Sequence, residues 1–343
     1  MDASEAPIPT GMDRIETLGP TVLDQISRAV SEVVEATARA IVSVRISRPG
    51  PVPSPSSVSA PGIGSAGSGV VIEPGGLILT NAHVVSLASS VRVTFSDGLT
   101  LPAEVAGSDA DTDLALLRVR QKGLPHLHWA LPETMRPGIF VLTLGRPGGG
   151  QIAVTTGIVS AIGRTLRVAS GELLQNVIQT TASLIPGTSG GALVDARGRL
   201  VGLNVAAPLP AASAVAFAIP ADTAQWVTER LLADGRIVRR NLGFAGQATP
   251  VNPCLAGRIG LAITRGVSVE YLDTDGPAER AGLARKDVIV EIAGRPVHDL
   301  GMIQRIVAEP DLSDALSVVA IRADRRIDLM LEPQDASPVA AGS

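Results

Sequence analysis

Between residues 68 and 219 the chain consists of short apolar or alternating runs, each followed by a cluster of turn-forming residues. LILT (77–80) and LVGLNV (200–205) are two of these runs, and EPGG (73–76) and DARG (195–198) are two of the turns. Apolar runs of this length, bounded by Gly, Pro and Asp, are typical of β-strands. Because many such runs follow one another with no long helix between them, the pattern predicts an all-β barrel or sandwich.

Helices are predicted at both edges of this region. Apolar residues recur at helical spacing from Val22 towards Val42, which predicts a short amphipathic helix that runs into a strand. ADTAQWVTERLLADG (221–235) predicts a second helix, with Gly235 as its C-terminal stop.

Beyond the second helix the chain changes character. Residues 241–335 mix short strands with two brief helices, one opening at Pro277 and one following Asp299. We therefore place a domain boundary near Arg240. The predicted organisation is a flexible N-terminal segment (1–21), a first domain (22–240), a second domain (241–335) and a disordered tail (336–343).

Composition and charge exclude several classes of protein. The 343 residues are 45% hydrophobic and 18% charged, which is enough apolar material for a folded core. The net charge of −4 argues against nucleic acid as the main partner, because phosphate binding needs clustered positive charge. The single cysteine, Cys254, excludes an intramolecular disulfide. His126 and His128 form an H-x-H pair without an evident third ligand, so no metal site is predicted.

The sequence also bears on location. No apolar run approaches the roughly 18 residues of a membrane-spanning helix. The N-terminal MDASEAPIPTGMDRIETLG is acidic and lacks the basic start and apolar run of a signal peptide. Taken as it stands, the sequence predicts a cytoplasmic protein; the alternative is a periplasmic or extracellular one, if an export signal is missing from this sequence.

Three fragments place catalytic types of residue at the ends of strand-like runs. TNAHVV, DTDLALL and GTSGGALV supply His83, Asp113 and Ser189, in the chain order of chymotrypsin-type double barrels. A serine hydroxyl is a weak nucleophile until an imidazole takes its proton, and the imidazole needs a carboxylate to fix its tautomer and stabilise its cation. Asp111 is the rival carboxylate, but Asp113 is preferred because it directly precedes the apolar run Leu114–Leu117. The fragments together predict a serine-protease triad.

The glycines around Ser189 suit the same chemistry. Gly187 permits a tight turn that can aim the backbone N–H groups of Gly187 and Ser189 at one point. Two such donors would hold the oxyanion that develops during acyl transfer. Gly190 and Gly191 would let the substrate backbone pass close to the nucleophile.

With these fragments in place, the sequence resembles the HtrA family of trypsin-like serine proteases. Further matching fragments are LGRPGG (144–149) and TTGIVSAIGR (155–164), while NLGF (241–244) and GPAERAGLARKDVIVEIAGRPV (276–297) resemble a PDZ domain. The resemblance spans about residues 22–335. It implies a mainly β fold, a chymotrypsin-like double β-barrel followed by a small α+β PDZ domain. It also implies endopeptidase activity on unfolded or damaged polypeptides without a cofactor.

By matching positions, the resemblance implies a pocket for the residue before the scissile bond, lined by Leu184, Val205 and Ala207. None of these is charged, so we expect cleavage after small or medium aliphatic residues rather than after Arg or Lys. The alternative is that they are ordinary core residues. Two positions depart from the family pattern: Thr181 stands where the family often has Asp, and Thr188 stands where it commonly has Asn.

The PDZ resemblance implies a peptide that adds a strand beside Phe244–Gln247 and places its terminal carboxylate on backbone N–H groups near Leu242–Phe244. The implied peptide-binding residues are Leu242, Gly243 and Phe244, with Met302, Ile303 and Ile306 on the following helix as the opposite, apolar wall. For each of these three helix residues, the alternative is that it is simply buried on the apolar face of an amphipathic helix.

Two functions are compatible with these observations. The first is a serine endopeptidase of protein quality control, with unfolded polypeptides as substrates and peptides with free C-termini as PDZ ligands. The second is a non-enzymatic scaffold or chaperone whose oxyanion loop is malformed, which Thr181 and Pro186 motivate. Family trimers usually pack aromatic residues near the N-terminus, and none precedes Phe95 here, so a homotrimer rests on the resemblance alone.

Overall fold

The first helix in the described part of the chain begins at a capping box. In this computed structural model, α1 spans Val22–Thr37. The Asp24 N–H donates to Thr21 Oγ1 at 3.2 Å, and the Thr21 N–H donates back to the Asp24 carboxylate at 2.7 Å. These reciprocal bonds satisfy N–H groups that the first turn leaves unpaired, and so define where the helix starts. The structure describes residues 21–47, 66–86, 88–131, 134–167, 173–206, 215–237, 240–258, 260–261, 263–309 and 312–335.

The predicted N-terminal segment (apart from residue 21) and the predicted tail lie outside the described residues. Within the described part of the chain, no helix is both long enough and apolar enough to cross a membrane. The division at Arg240 stays a prediction.

A closed six-stranded antiparallel barrel follows α1 and a 3₁₀ turn at Ala38–Ala40. Its strands are hydrogen-bonded in the order β1-β2-β3-β6-β5-β4. The one-turn helix α2 (Ala82–Val85) leaves the end of β3. The strands are β1 (Ile41–Ser47), β2 (Ala66–Glu73), β3 (Leu77–Thr80), β4 (Ser90–Thr94), β5 (Thr100–Asp109) and β6 (Leu114–Arg118).

A second closed barrel has the same number of strands, in the order β10-β11-β12-β9-β8-β7. Helix α3 (Ala221–Asp234) follows the last strand, ends at Gly235 as predicted, and packs against strands of both barrels. The strands are β7 (Phe140–Gly145), β8 (Ala153–Arg167), β9 (Leu173–Thr180), β10 (Ala192–Asp195), β11 (Leu200–Val205) and β12 (Ala216–Pro220).

Strands β3 and β11 are buried along their whole length. A strand covered on both faces favours apolar residues at successive positions rather than at alternate ones. LILT and LVGLNV follow this pattern except at Thr80 and Asn204, whose buried side chains donate to the carbonyl oxygens of Ser68 and Ala192. The main core cluster takes side chains from both barrels, so the two barrels pack as one body.

The remaining chain forms a sheet in the order β14-β15-β16-β18-β19, with β17 paired to β16 and a short separate ladder of β13 and β20. Together with the two barrels, it confirms the predicted mainly β fold class. The helices at Pro277 and after Asp299 are also confirmed. The elements are β13 (Arg240–Asn241), β14 (Phe244–Pro250), α4 (Pro253–Arg258), β15 (Arg265–Leu272), α5 (Pro277–Arg280), β16 (Val288–Ile292), β17 (Arg295–Pro296), α6 (Leu300–Val307), β18 (Leu316–Arg322), β19 (Arg325–Leu331) and β20 (Gln334–Asp335).

Candidate active site and peptide groove

Strand pairing in the first barrel brings His83 and Asp113 together. His83 lies on α2 directly after β3, Asp113 immediately precedes β6, and these two strands pair with Thr80 opposite Ala115. His83 Nδ1 lies 2.7 Å from Asp113 Oδ2, and the His83 backbone N–H donates to Asp113 Oδ1 at 2.9 Å. The Asp113 side chain is 6% exposed and the His83 side chain 45%. The carboxylate is therefore shielded from water, whereas the imidazole is accessible to a substrate.

The backbone of Asp113 is itself held in place. Its φ of +53° lies in the left-handed region, which residues other than glycine seldom adopt. Its carbonyl oxygen accepts hydrogen bonds from Asn81 Nδ2 at 3.0 Å and from the Ala82 N–H at 3.1 Å. Asp111 is exposed on the same turn. The structure therefore places Asp113, and not Asp111, against the imidazole.

The turn that carries Ser189 comes from the second barrel and packs onto the first. The Ser68 N–H, on β2, donates to the Ser189 carbonyl oxygen at 2.8 Å. A Cβ on Gly190 would collide with the Ser68 carbonyl oxygen and would lie 3.2 Å from the Asn81 nitrogen. Only glycine permits this approach, and it sets the Ser189 turn beside the segment that carries His83. All three predicted catalytic residues thus lie at the junction of the two barrels.

The turn that carries Ser189 also has two backbone N–H groups, those of Gly187 and Ser189, that could donate to a substrate. Gly187 has a φ of +87°. The Thr188 N–H donates to the Ile185 carbonyl oxygen at 3.0 Å, and the Gly190 N–H donates to the Asn204 carbonyl oxygen at 2.9 Å. The N–H groups of Gly187 and Ser189 donate to none of the described residues. They are the two donors that the sequence assigns to an oxyanion.

Two of the three residues assigned to the substrate pocket are described. Leu184 is half-buried just before the Ser189 turn, and Val205, at the end of β11, is fully buried. Ala207 lies outside the described residues. At the departures from the family pattern, the Thr181 hydroxyl accepts the Ile158 N–H at 3.0 Å, and the buried Thr188 hydroxyl donates to the Ile185 carbonyl oxygen at 2.7 Å.

A groove of about 230 Å³ lies between β14 and α6 in the second domain. The N–H of Gly243, between the lining residues Leu242 and Phe244, donates to Asn241 Oδ1 at 2.8 Å. Of the three residues predicted for the apolar wall, Ile303 lines the groove, whereas Met302 and Ile306 do not. The second domain lines the groove with Leu242, Phe244, Leu300, Ile303, Gln304 and Val307, among others.

The first domain contributes to this groove as well. Asp111 and Gln175 lie on its border. Gln304 Nε2 donates to Gln175 Oε1 at 3.2 Å, and Arg305 Nη1 donates to Asp222 Oδ2 at 3.2 Å. Helix α6 therefore both forms one wall of the groove and contacts the first domain through β9 and α3.

Sequence reasoning missed three residues that support the site: Ser68, Asn81 and Arg146. Asn81 bonds to the Asp113 carbonyl, and Ser68 bonds to the Ser189 turn. Arg146 is buried at 6% exposure although it lies in the loop LGRPGG. A polar residue on a strand or in a loop carries no sequence signal of such a contact, so these roles appear only in three dimensions.

Two family models match the chain, a trypsin-like peptidase domain over residues 67–203 and a PDZ domain over residues 268–314. The barrels, the site at their junction and the second sheet define a trypsin-like serine protease joined to a PDZ domain. A putative serine protease, HhoA, of Synechocystis is 37% identical over 79% of this chain and 71% of that protein. The solved structure titled HtrA-type protease AlgW with tripeptide is 32% identical, covers 91% of this chain and 99% of that one, and has a TM-score of 0.65. The chain belongs to the HtrA family of serine proteases.

Two longer relatives match this chain over only part of their own length. The probable periplasmic serine endoprotease DegP-like of Rickettsia conorii is 34% identical over 78% of this chain. The periplasmic serine endoprotease DegP of Salmonella typhimurium is 35% identical over 79% of this chain. The chain spans 53% and 57% of these two proteins, so it corresponds to about half of their length.

Proposed function

We propose that the chain is a serine endopeptidase with His83, Asp113 and Ser189 as its triad. Ser189 Oγ attacks the carbonyl carbon of the scissile bond and gives its proton to His83 Nε2, while the carbonyl oxygen takes the electron pair and becomes an oxyanion. Asp113 stabilises the imidazolium through Nδ1. The observation that carries this proposal is the double contact of His83 with Asp113, at 2.7 Å and 2.9 Å.

The rest of the cycle uses the same groups. The N–H groups of Gly187 and Ser189 hold the oxyanion. When the tetrahedral intermediate collapses, the C–N bond breaks and the leaving amine takes the proton from His83. A water molecule then gives a proton to His83 and attacks the acyl-enzyme. Ser189 leaves as a neutral hydroxyl, and the product carries a new carboxyl group.

The substrates are polypeptides that can present an extended, aliphatic segment. Leu184 and Val205 are apolar, which supports a pocket for Val, Ala or Leu before the scissile bond. Unfolded or damaged proteins expose such segments, whereas native proteins bury them. This fits the protein quality-control role of the HtrA family.

The PDZ domain binds the free C-terminus of a peptide. β14 is the edge strand of its sheet, and a peptide strand can therefore pair with it. Phe244 and Ile303 supply apolar contacts on opposite walls of the groove. Because the Gly243 N–H is engaged by Asn241, the N–H groups of Leu242 and Phe244 are the remaining carboxylate donors in this loop.

Two further properties, the cellular location and the oligomeric state, are inferred from the family. Relatives named as periplasmic favour the extracytoplasmic alternative for this chain over the cytoplasm. A homotrimer is the assembly that the resemblance implies, and light scattering of the full chain would measure its mass.

The competing function is that of a scaffold or chaperone without turnover. It is favoured by Thr181 and Pro186, which border the oxyanion loop. The N–H groups of Gly187 and Ser189 have no acceptor among the described residues, which favours the enzyme, because a malformed oxyanion turn would not leave both donors available.

Casein degradation by the full chain, beside Ser189→Ala, separates the two functions. We expect turnover to fall by about 10⁶-fold in the variant, the loss seen when such a nucleophile is removed elsewhere. A covalent serine-reactive probe should label the wild type and not the variant. Addition of a peptide that ends in a free apolar carboxylate reports whether the PDZ domain affects the rate. Equal rates and no labelling of the wild type would favour the scaffold.

A further inference from the structure

We propose that Arg146 and Ser68 are positioning residues, which hold the Gly187–Ser189 turn in the conformation that presents its two N–H groups to an oxyanion. The proposal deepens the proposed function and rests on it. It assigns a role to a buried charge that the triad mechanism does not use.

Two hydrogen bonds connect Arg146 to the turn. The Arg146 backbone N–H donates to Ser68 Oγ at 2.9 Å, and the Ser68 hydroxyl donates to the Gly187 carbonyl oxygen at 2.8 Å. The Ser68 N–H also donates to the Ser189 carbonyl oxygen at 2.8 Å. Ser68 therefore holds the carbonyl groups on both sides of the peptide unit that carries the Ser189 N–H. A flip of that unit would strain or break one of these bonds.

The Arg146 side chain anchors the loop beneath the turn. Its guanidinium donates to three backbone carbonyl oxygens, those of Ile41 at 3.0 Å, Gly150 at 2.8 Å and Ala38 at 3.1 Å. Ala38 lies in the 3₁₀ turn after α1, Ile41 is the first residue of β1, and Gly150 closes the loop after Arg146. The guanidinium thus ties the loop to the start of the first barrel.

Burial of the Arg146 guanidinium costs free energy. Burial lowers the pKa of Arg146, because the charged guanidinium loses its water. No carboxylate pairs with it within the described ranges. A buried charge without a counter-ion costs free energy, and carbonyl dipoles compensate only in part. A residue that only filled this space would be apolar, so the charge points to a positional role.

The anchored loop touches the turn directly. A Cβ on Gly187 would lie 2.8 Å from Pro147 Cβ, so the proline ring supports Gly187 from one side. Oxyanion donors act only when they are preorganised. A displacement of about 1 Å in such a group can cost about 10²-fold in rate. Loosening the loop should therefore reduce turnover without changing ground-state binding.

The test compares Ser68→Ala, Arg146→Met and Arg146→Lys with the matched control Arg199→Met. Arg199 is partly buried and bonds Asp195 at 2.8 Å on the turn between β10 and β11. With a small peptide ester, we expect kcat to fall about 10-fold in Ser68→Ala and about 10²-fold in Arg146→Met, with KM within about twofold. Affinity for a peptide boronate should fall in parallel. Arg146→Lys should recover part of the loss, and Arg199→Met should keep the wild-type kcat.

Hydrogen exchange gives a readout that needs no turnover. The bonded N–H groups of Thr188, Gly190 and Gly191 should exchange faster in Ser68→Ala and Arg146→Met than in the control. Wild-type kcat in both variants, or unchanged exchange, overturns the positioning role while the enzyme assignment stands. If the wild type shows no Ser189-dependent turnover, the proposed function fails, and exchange alone decides the positioning role. If Arg146→Met does not fold, Arg146→Lys and Ser68→Ala carry the test.

Discussion

His83 binds both oxygens of Asp113, one through its backbone and the other through its ring. The backbone nitrogen lies 2.9 Å from Oδ1, and Nδ1 lies 2.7 Å from Oδ2. Because one residue supplies both contacts, the orientation of the carboxylate and the position of the imidazole are set together. The left-handed backbone of Asp113, held by Asn81, makes this geometry possible.

The first prediction concerns that contact. Asp113→Asn should lower kcat by about 10⁴-fold, because an amide at this position stabilises the wrong imidazole tautomer. KM for a small peptide ester should stay near the wild-type value, since the substitution leaves the binding surface unchanged. Steady-state kinetics check both values. Asp111→Asn is measured in parallel; if it, and not Asp113→Asn, abolishes turnover, the assignment of the carboxylate is wrong.

The second prediction concerns specificity. A panel of peptides that differ only in the residue before the scissile bond should show kcat/KM highest for Val, Ala and Leu. The reason is that Leu184 and Val205 offer no carboxylate to a cationic side chain. Mass spectrometry of the products locates each cut. Preferred cleavage after Arg or Lys would contradict the apolar pocket.

The third prediction concerns the PDZ groove. Phe244→Ala should weaken binding of a peptide with a free apolar C-terminus by about tenfold, which corresponds to about 1.4 kcal/mol. Tyr271→Ala is the matched aromatic control, because Tyr271 is 58% exposed on the neighbouring strand and does not line the groove. Fluorescence anisotropy measures both affinities. Equal binding by Phe244→Ala and the wild type, or equal binding of the C-terminally amidated peptide, would refute recognition of a free peptide C-terminus in this groove.

The fourth prediction concerns the stability of the PDZ domain. Asp287 is 1% exposed, and Arg322 donates to its two oxygens at 2.8 Å and 2.6 Å. Arg322→Met leaves a buried carboxylate and should lower the free energy of unfolding by about 2 kcal/mol, less than for a fully buried pair because Arg322 is partly exposed. Arg326→Met, which breaks the exposed pair with Asp328, should cost much less, because water screens that pair. Denaturant unfolding measures both, and equal losses would argue against a special role of burial.

Most barrel strands could be predicted because a closed barrel buries one or both faces of each strand. The local sequence marks two of the strands, β5 and β9, only weakly. β5 contains Pro102 and Gly107, which weaken a strand pattern, and its pairing with β6 shifts register between Val105 and Gly107. β9 carries Gln and Asn in its middle, and Asn176 has a φ of +59°. In both cases neighbouring strands in the barrel supply the hydrogen bonds that the local sequence does not specify.

For the α6 wall of the PDZ groove, helical periodicity alone does not predict which residues line the groove. The sequence predicts Met302, Ile303 and Ile306 as the groove face of α6, whereas Leu300, Ile303, Gln304 and Val307 line the groove. Apolar residues occupy about half of the circumference of this short helix, with Met302 and Ile306 at one edge of the apolar face and Leu300 and Val307 at the other. The packing of α6 against β9 and β14 decides which edge borders the groove.

Local sequence patterns predict the β-rich architecture, the family resemblance and the candidate triad His83, Asp113 and Ser189. Those features depend on local residue patterns and on chemistry that requires particular side chains. The connected hydrogen bonds of Arg146, Ser68 and Gly187 appear only in three dimensions, because 78 and 119 positions separate Ser68 from the other two. A hydrogen bond between distant segments depends on how the barrels pack, and no local pattern in the sequence encodes it.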